Sequence, residues 1–156
     1  MRCQQILHGG SYVYVVGDLC DLGQIMIWEE LKNNYVRNEK VTGYLSQKYG
    51  VSTILDISRI ILMQAALGIQ YMHNHNITNR DIKVDNILCM ATPHQGADIK
   101  IADYTTVRYS IDDISYFPSG TPGFRGPEQQ FATSDGYGCK ATDVWSLCIS
   151  IYTFYC

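Results

Sequence analysis

The spacing of hydrophobic and polar positions changes several times along this chain. Ser11–Val16, written SYVYVV, is a β-branched and aromatic run that predicts a strand. The loop DLCDLG follows Gly17, and Gln24–Leu31 reads as the start of a helix. Residues 32–50 are polar and lysine-rich with two glycines, and read as a surface connection. From Ser52 the spacing changes: Ile57, Ile60, Ile61, Gln64, Leu67, Gly68, Tyr71 and Met72 fall three and four apart, which predicts a long, mostly buried helix ending near Asn74. Two short strands follow, Asn86–Met90 and Asp98–Ala102, joined by a turn with Pro93 and Gly96. Residues 103–138 carry almost no periodic signal, and irregular stretches of that length are commonly functional. A last helix is expected from Thr142–Asp143, which read as its cap, to the final residue. It is apolar nearly all round, so burial on every side is expected. The pattern belongs to the α+β class.

Composition narrows the function classes. With 46% hydrophobic and 17% charged residues, the 156-residue chain has ordinary globular make-up and is long enough for a core without disulfide staples. A net charge of −3 argues against gripping nucleic acid or an anionic membrane, so neither is expected as a partner. The opening MRCQQILHGGS lacks a basic-then-apolar signal profile, and the charge-free run 144–156 is short for a bilayer. An intracellular, cytoplasmic location is the expectation. The six cysteines (3, 20, 89, 139, 148, 156) form no Cys-x-x-Cys pair and, with the scattered histidines His8, His73, His75 and His94, no zinc spacing. They read as free thiols in a reducing compartment.

The chemistry is concentrated in Asn79-Arg80-Asp81-Ile82-Lys83-Val84-Asp85-Asn86, a polar loop between a buried helix and a buried strand. In the hairpin that follows, Asn86 opens one strand and Asp103 lies just past the end of the other. Antiparallel pairing brings those two positions together. An amide and a carboxylate oxygen suit Mg²⁺ with phosphate and water completing its shell. Asp81, in the same loop, could orient a hydroxyl and take its proton, and Lys83 could place positive charge on a transferring phosphoryl group.

Arg80-Asp81-x-Lys83-x-x-Asn86, then Asp103, Gly120-Thr121-Pro122, Pro127-Glu128 and Asp143-Val144-Trp145-Ser146 together resemble the large lobe of a serine/threonine-type protein kinase. The four fixed loop positions alone would arise by chance in about one chain in a thousand. The resemblance spans nearly the whole chain, from a last small-lobe strand and hinge (1–23) through helices (24–78), catalytic loop and hairpin (79–102) and activation segment (103–128) to a buried helix (142–156). It implies a mainly helical lobe with short β-hairpins, the small lobe and the last helices missing. It further implies Asp81 as catalytic base, Lys83 as phosphoryl support, and Asn86 and Asp103 as metal ligands. Leu19 (hinge) and Leu88 (beneath the base) would hold adenine. Arg80 would receive an activation-segment phosphate, Thr121 would bridge Lys83 and Asp81, Glu128 would close the segment, and Asp143 would hold the catalytic-loop backbone. The cofactors implied are ATP and Mg²⁺, and the partner is a protein substrate with Ser or Thr.

Plainer readings stand beside these. Asp143 could simply cap a helix, Asp103 occupy a turn, and Lys83 be a solvated charge. The Ser, Thr and Tyr residues between 105 and 119 suit any polar loop. Five positions depart from the family pattern. Asn79 replaces a histidine and needs buried partners, Tyr104 replaces a phenylalanine, and Thr105 replaces a glycine where positive φ is often used. Gly17 would leave a hole behind the adenine pocket, and Cys148 would crowd a packed helix. The chain as written has no G-x-G-x-x-G loop, no Val-Ala-Ile-Lys-like strand and no glutamate helix to pair with it. Hence weak or no turnover is expected of it alone, below the ~1 s⁻¹ of ordinary kinases. The alternative is a pseudokinase, a binding or scaffold module without catalysis.

Overall fold

The computed structural model describes residues 3–92, 96–131 and 135–156, so Pro93 and His94 of the expected turn lie outside the described residues. The SYVYVV strand forms as β2 (Tyr12–Gly17), paired antiparallel with β1 (Cys3–Gly9). Ile6, Tyr12, Val13 and Val15 on this hairpin are all more than half exposed. The link after β2 is anchored by β3 (Gly23–Gln24), the edge of a sheet ordered β3-β7-β8, with β7 at Ile87–Cys89 and β8 at Ile99–Ile101. The expected hairpin is therefore present, with Ile87 opposite Ile101.

The helix expected from Gln24 does not form. Met26–Glu29 is β4 and Asn34–Arg37 is β5, an antiparallel hairpin with Asn33 at φ 48° in its reversal. Ile27, Trp28, Tyr35 and Val36 are β-branched or aromatic and face one another across the strands. The Trp28 and Tyr35 rings meet edge to face, 5.0 Å apart, a contact worth about 1 kcal/mol. The connection expected over 32–50 also holds a helix, α1 (Glu39–Tyr49). Asn38 caps it, accepting from Lys40 N at 3.1 Å while its own amide donates to the Leu22 and Gln24 carbonyls. Gly50, at φ 65°, closes it by donating to Ser46 O. Only Val41 and Leu45 of α1 are buried, too narrow a stripe to stand out in a polar segment.

The long helix is α2 (Ile54–Asn74), capped by Thr53, whose hydroxyl accepts from Asp56 N at 3.1 Å. By length and composition alone it could cross a membrane. Its buried Ile57, Ile61, Ala65 and Ile69 instead form part of the core, and the helix packs on β6 (Ile77–Thr78), β8 and α4 (Cys139–Tyr155).

Two expectations for α4 are corrected. It begins at Cys139 with Gly138 as an N-cap that supplies no side chain, and Asp143 lies inside it. Nor is it buried all round: Thr142, Asp143, Ser146, Leu147, Ser150 and Phe154 face inward while Val144, Trp145, Tyr152 and Tyr155 are exposed. The inward hydroxyls can be buried because each donates to a carbonyl, Thr142 to Cys139 O, Ser146 to Phe124 O and Ser150 to Ser146 O. Cys148 is exposed on this helix. Between β8 and α4 the chain is irregular apart from short pieces. β9 (Arg108–Tyr109) pairs with β6, β10 (Ile114–Ser115) pairs with β11 (Tyr137–Gly138), and α3 (Pro127–Gln130) is one turn. The architecture is α+β, with Cys20, Cys89, Cys139, Cys148 and Cys156 unpaired.

Candidate active site

The 79–86 loop has an unusual shape to hold. Arg80 sits at φ 67°, a left-handed conformation that costs a non-glycine residue energy. Asp143, 1% exposed, supplies the restraint from α4: its Oδ2 accepts from Asn79 N at 2.9 Å and its Oδ1 from Arg80 N at 2.7 Å. His73 Nε2 lies 2.9 Å from the same Oδ2. Asp143 is thus a brace beneath the loop rather than a helix cap.

Asn79 is fully buried and fully partnered. Its Nδ2 donates to Asp103 O at 3.1 Å, its Oδ1 accepts from Asp81 N at 3.0 Å, and its carbonyl accepts from the Thr106 hydroxyl at 2.8 Å. The small amide therefore ties the loop to the Asp103 turn, which removes the burial cost expected of it.

Asp81 and Lys83 meet through Thr121. The Thr121 hydroxyl donates to Asp81 Oδ1 at 2.7 Å and accepts from Lys83 Nζ at 3.0 Å, with Lys83 Nζ 3.5 Å from Asp81 Oδ2. The segment before Thr121 approaches the loop closely. A Cβ on Gly120, at φ 79°, would lie 2.5 Å from Arg80 O, so only glycine fits there. Arg125 fastens the turn by donating to Gly120 O from both Nε and Nη2, at 2.9 and 2.6 Å.

The β7–β8 hairpin brings Asn86 beside the residue before Asp103, with Ala102 N donating to Asn86 O at 2.8 Å. Asn86 Nδ2 donates to Asp81 O at 2.9 Å, which turns its amide nitrogen toward the loop. Asp103, at φ 57°, accepts on Oδ1 from Thr105 N at 3.1 Å and Thr105 Oγ1 at 2.6 Å. Those bonds, the hydroxyl's first, hold its carboxyl below the usual range against a small burial effect, and the Lys83 charge adds to them. The positive φ thus falls on Asp103, and Thr105 serves as a donor. Among the described residues no three His, Cys, Asp or Glu side chains cluster as a metal site. One amide and one carboxylate oxygen fit a hard cation whose other ligands are phosphate and water.

The matching family model is described as a protein kinase domain and covers residues 2–156. The chain belongs to the protein kinase family. It is similar to the serine/threonine-protein kinase PLK4 of Nematostella vectensis, 32% identical over 145 residues that make up 92% of this chain and 12% of that protein. PLK4 of Drosophila grimshawi is 30% identical over 155 residues, 98% of this chain and 17% of that one. The calcium/calmodulin-dependent protein kinase cmkB of Emericella nidulans is 33% identical over 111 residues, 69% of this chain and 26% of that one. The chain therefore spans between 12% and 26% of the length of these kinases.

The other residues singled out by the kinase resemblance sit apart from the Asp81 cluster. Arg80 Nε donates to Thr106 O at 2.8 Å, and its Nη1 reaches Ser115 Oγ at 3.4 Å, so its guanidinium faces the 105–115 segment. Glu128 is exposed on α3, its carboxylate folded toward Gly126. Leu88 is half-buried in β7, whereas Leu19 is 81% exposed on the link to β3. Tyr104 finds the bond its hydroxyl needs, donating to Ile101 O at 2.8 Å.

Sequence reasoning missed Tyr35 and Asp85. Tyr35 Oη donates to Asp85 Oδ2 at 2.7 Å, and its ring lies edge to face on Phe124, 6.5 Å away. Burial, with the Asp85 bond and charge adding to it, pushes the Tyr35 phenol up to about 12. The alternation of apolar residues in Ile27-Trp28 and Tyr35-Val36 around a polar reversal was the available signal.

Proposed function

We propose that this chain carries ATP-dependent phosphoryl transfer to serine or threonine hydroxyls of a protein substrate. The observation that carries the reading is the Asp81–Thr121–Lys83 cluster, with Asn86 three residues after Lys83 and bonded through its carbonyl to the N–H of Ala102, the residue before Asp103. Asp81 Oδ2 accepts the hydrogen bond of the acceptor hydroxyl and takes its proton as the new O–P bond forms and the bond to the departing nucleotide breaks. Lys83 offsets negative charge gathering on the transferred group. Thr121 fixes both side chains at once, so neither has to reorient as charge develops. Asn86 Oδ1 and Asp103 Oδ2 would hold Mg²⁺, which when bound neutralises phosphate charge. The unpaired thiols suit a reducing, intracellular setting.

A second reading, a kinase-like binding module, draws on the exposed Leu19 and on Thr105 occupying Asp103 Oδ1. One comparison separates the two. Phosphate transfer to a generic protein substrate is measured for the full-length protein and for its Asp81→Asn form. The catalytic reading expects the substitution to cost about 10²- to 10⁴-fold. Equal background in both would sink it and leave the binding module.

A further inference from the structure

We propose that Thr105 is a positioning residue for metal binding: its hydroxyl holds the Asp103 carboxylate in the orientation that takes a divalent cation together with Asn86. This rests on the reading of Asn86 and Asp103 as the metal pair.

Three observations carry it. Thr105 delivers both of its donors to the same oxygen, Oδ1, at 3.1 Å from the backbone and 2.6 Å from the hydroxyl. Among the described residues no hydrogen bond is made to Oδ2, so one oxygen is held and the other is left for a ligand. The backbone on which the carboxylate stands is separately fixed, because Asn79 Nδ2 grips Asp103 O and Ala102 N grips Asn86 O. What remains free to turn is the exposed side chain itself, and Thr105 restrains that.

The hydroxyl adds to what any residue at 105 would offer. A backbone N–H alone makes a turn-type bond to the preceding aspartate. Threonine's branched Cβ limits χ1 to few rotamers, so its Oγ1 is presented with little entropy to lose. Hydrogen bonds to an ionised acceptor are the stronger kind. Holding one carboxylate oxygen need not compete with a cation, because a hard divalent ion can bind such a group through the other oxygen alone. Outer partners of ligating carboxylates characteristically change metal affinity by about 10- to 100-fold, and the exposure of Asp103 and Thr105 places this one at or below the lower end.

Mn²⁺ binding to the full chain, followed by the electron spin resonance signal of the free ion, tests the proposal without reference to turnover. Thr105→Val keeps the shape and removes the hydroxyl, and should weaken Mn²⁺ binding about three- to tenfold. Thr105→Ser restores the hydroxyl and should bind within about twofold of wild type. Thr105→Ala repeats the hydroxyl deletion without the branched Cβ, should the valine disturb the turn. Valine and alanine variants that are folded by circular dichroism and bind as tightly as wild type, or more tightly, would overturn the proposal. Asp103→Asn serves as the control for the underlying reading. If it leaves Mn²⁺ binding unchanged, the metal pair itself is wrong, a result distinct from failure of Thr105 alone.

Discussion

Thr121 Oγ1 stands 2.7 Å from Asp81 Oδ1, donating to it, while the same oxygen accepts from Lys83 Nζ. One hydroxyl thus joins an acid and a base two residues apart to a segment some forty residues downstream. Because it is the only donor the structure gives to Asp81 Oδ1 among the described residues, the orientation of the proposed base depends on it.

Thr121→Val tests that dependence. Losing a donor to an ionised acceptor and the acceptor for Lys83 should lower the rate of phosphate transfer by about 10- to 100-fold. Thr121 is half-buried near the surface, so stability should fall by only about 1 kcal/mol. Thr121→Ser should recover most of the rate. A valine variant that transfers phosphate like wild type would show that Asp81 is held by other means.

Asp143 makes the opposite kind of prediction, on stability. Asp143→Ala strands the buried N–H groups of Asn79 and Arg80 and removes the restraint on the left-handed Arg80. A loss of about 3 kcal/mol is expected, read as a fall in Tm of about 6–12 °C. Asp143→Asn should cost less, since its Oδ1 can still accept one of the two.

How legible all this was in the sequence depends on the range of the interactions. The 79–86 loop, the β7–β8 hairpin and α2 were readable because short spacing encodes them. The β4–β5 hairpin was not, because Met26, Ile27 and Trp28 satisfy a helical and a strand pattern equally over so short a run. Only pairing with Tyr35 and Val36 decides it. For α4, counting apolar residues put Trp145 and Tyr152 inside and gave no weight to Ser146 and Ser150. The structure does the reverse, since the serines' bonds to carbonyls make them small, satisfied and buriable. The partners that rescue Asn79 lie in Asp103, Thr106 and Asp143, and no local pattern announces them.

Asp98 gives a pH-dependent prediction. Its side chain is fully buried, which alone would push its carboxyl up, but donors from Lys48, Thr92, Tyr49 and Tyr44 outweigh burial and hold it down to about 2. A carboxyl lowered on folding contributes stability above its unfolded pKa and loses it as pH falls through the folded value. The window therefore runs from about pH 4 to about pH 2, and the total is about 2 kcal/mol. Urea unfolding at pH 6 and at pH 2.5 should show wild type losing about 1.5 kcal/mol more than Asp98→Asn. Identical losses in the two proteins would place the acid-sensitive group elsewhere.

Tyr35 tests whether the β4–β5 hairpin is coupled to the catalytic loop. Its hydroxyl reaches Asp85, the residue before Asn86, and its ring rests on Phe124, whose N–H donates to Thr121 O at 3.1 Å. Tyr35→Phe keeps the ring contacts and removes the hydrogen bond, so it should cost about 1–2 kcal/mol of stability. Tyr35→Ala removes the ring as well, with its contacts to Trp28 and Phe124, and should cost about 3 kcal/mol or more. The informative readout is the double variant with Thr121→Val. If the hairpin steadies the Thr121 segment through Phe124, the losses in transfer rate for Tyr35→Ala and Thr121→Val will be smaller together than their product. Independent, multiplying losses would mean that the hairpin supports the fold and leaves the Asp81 cluster to itself.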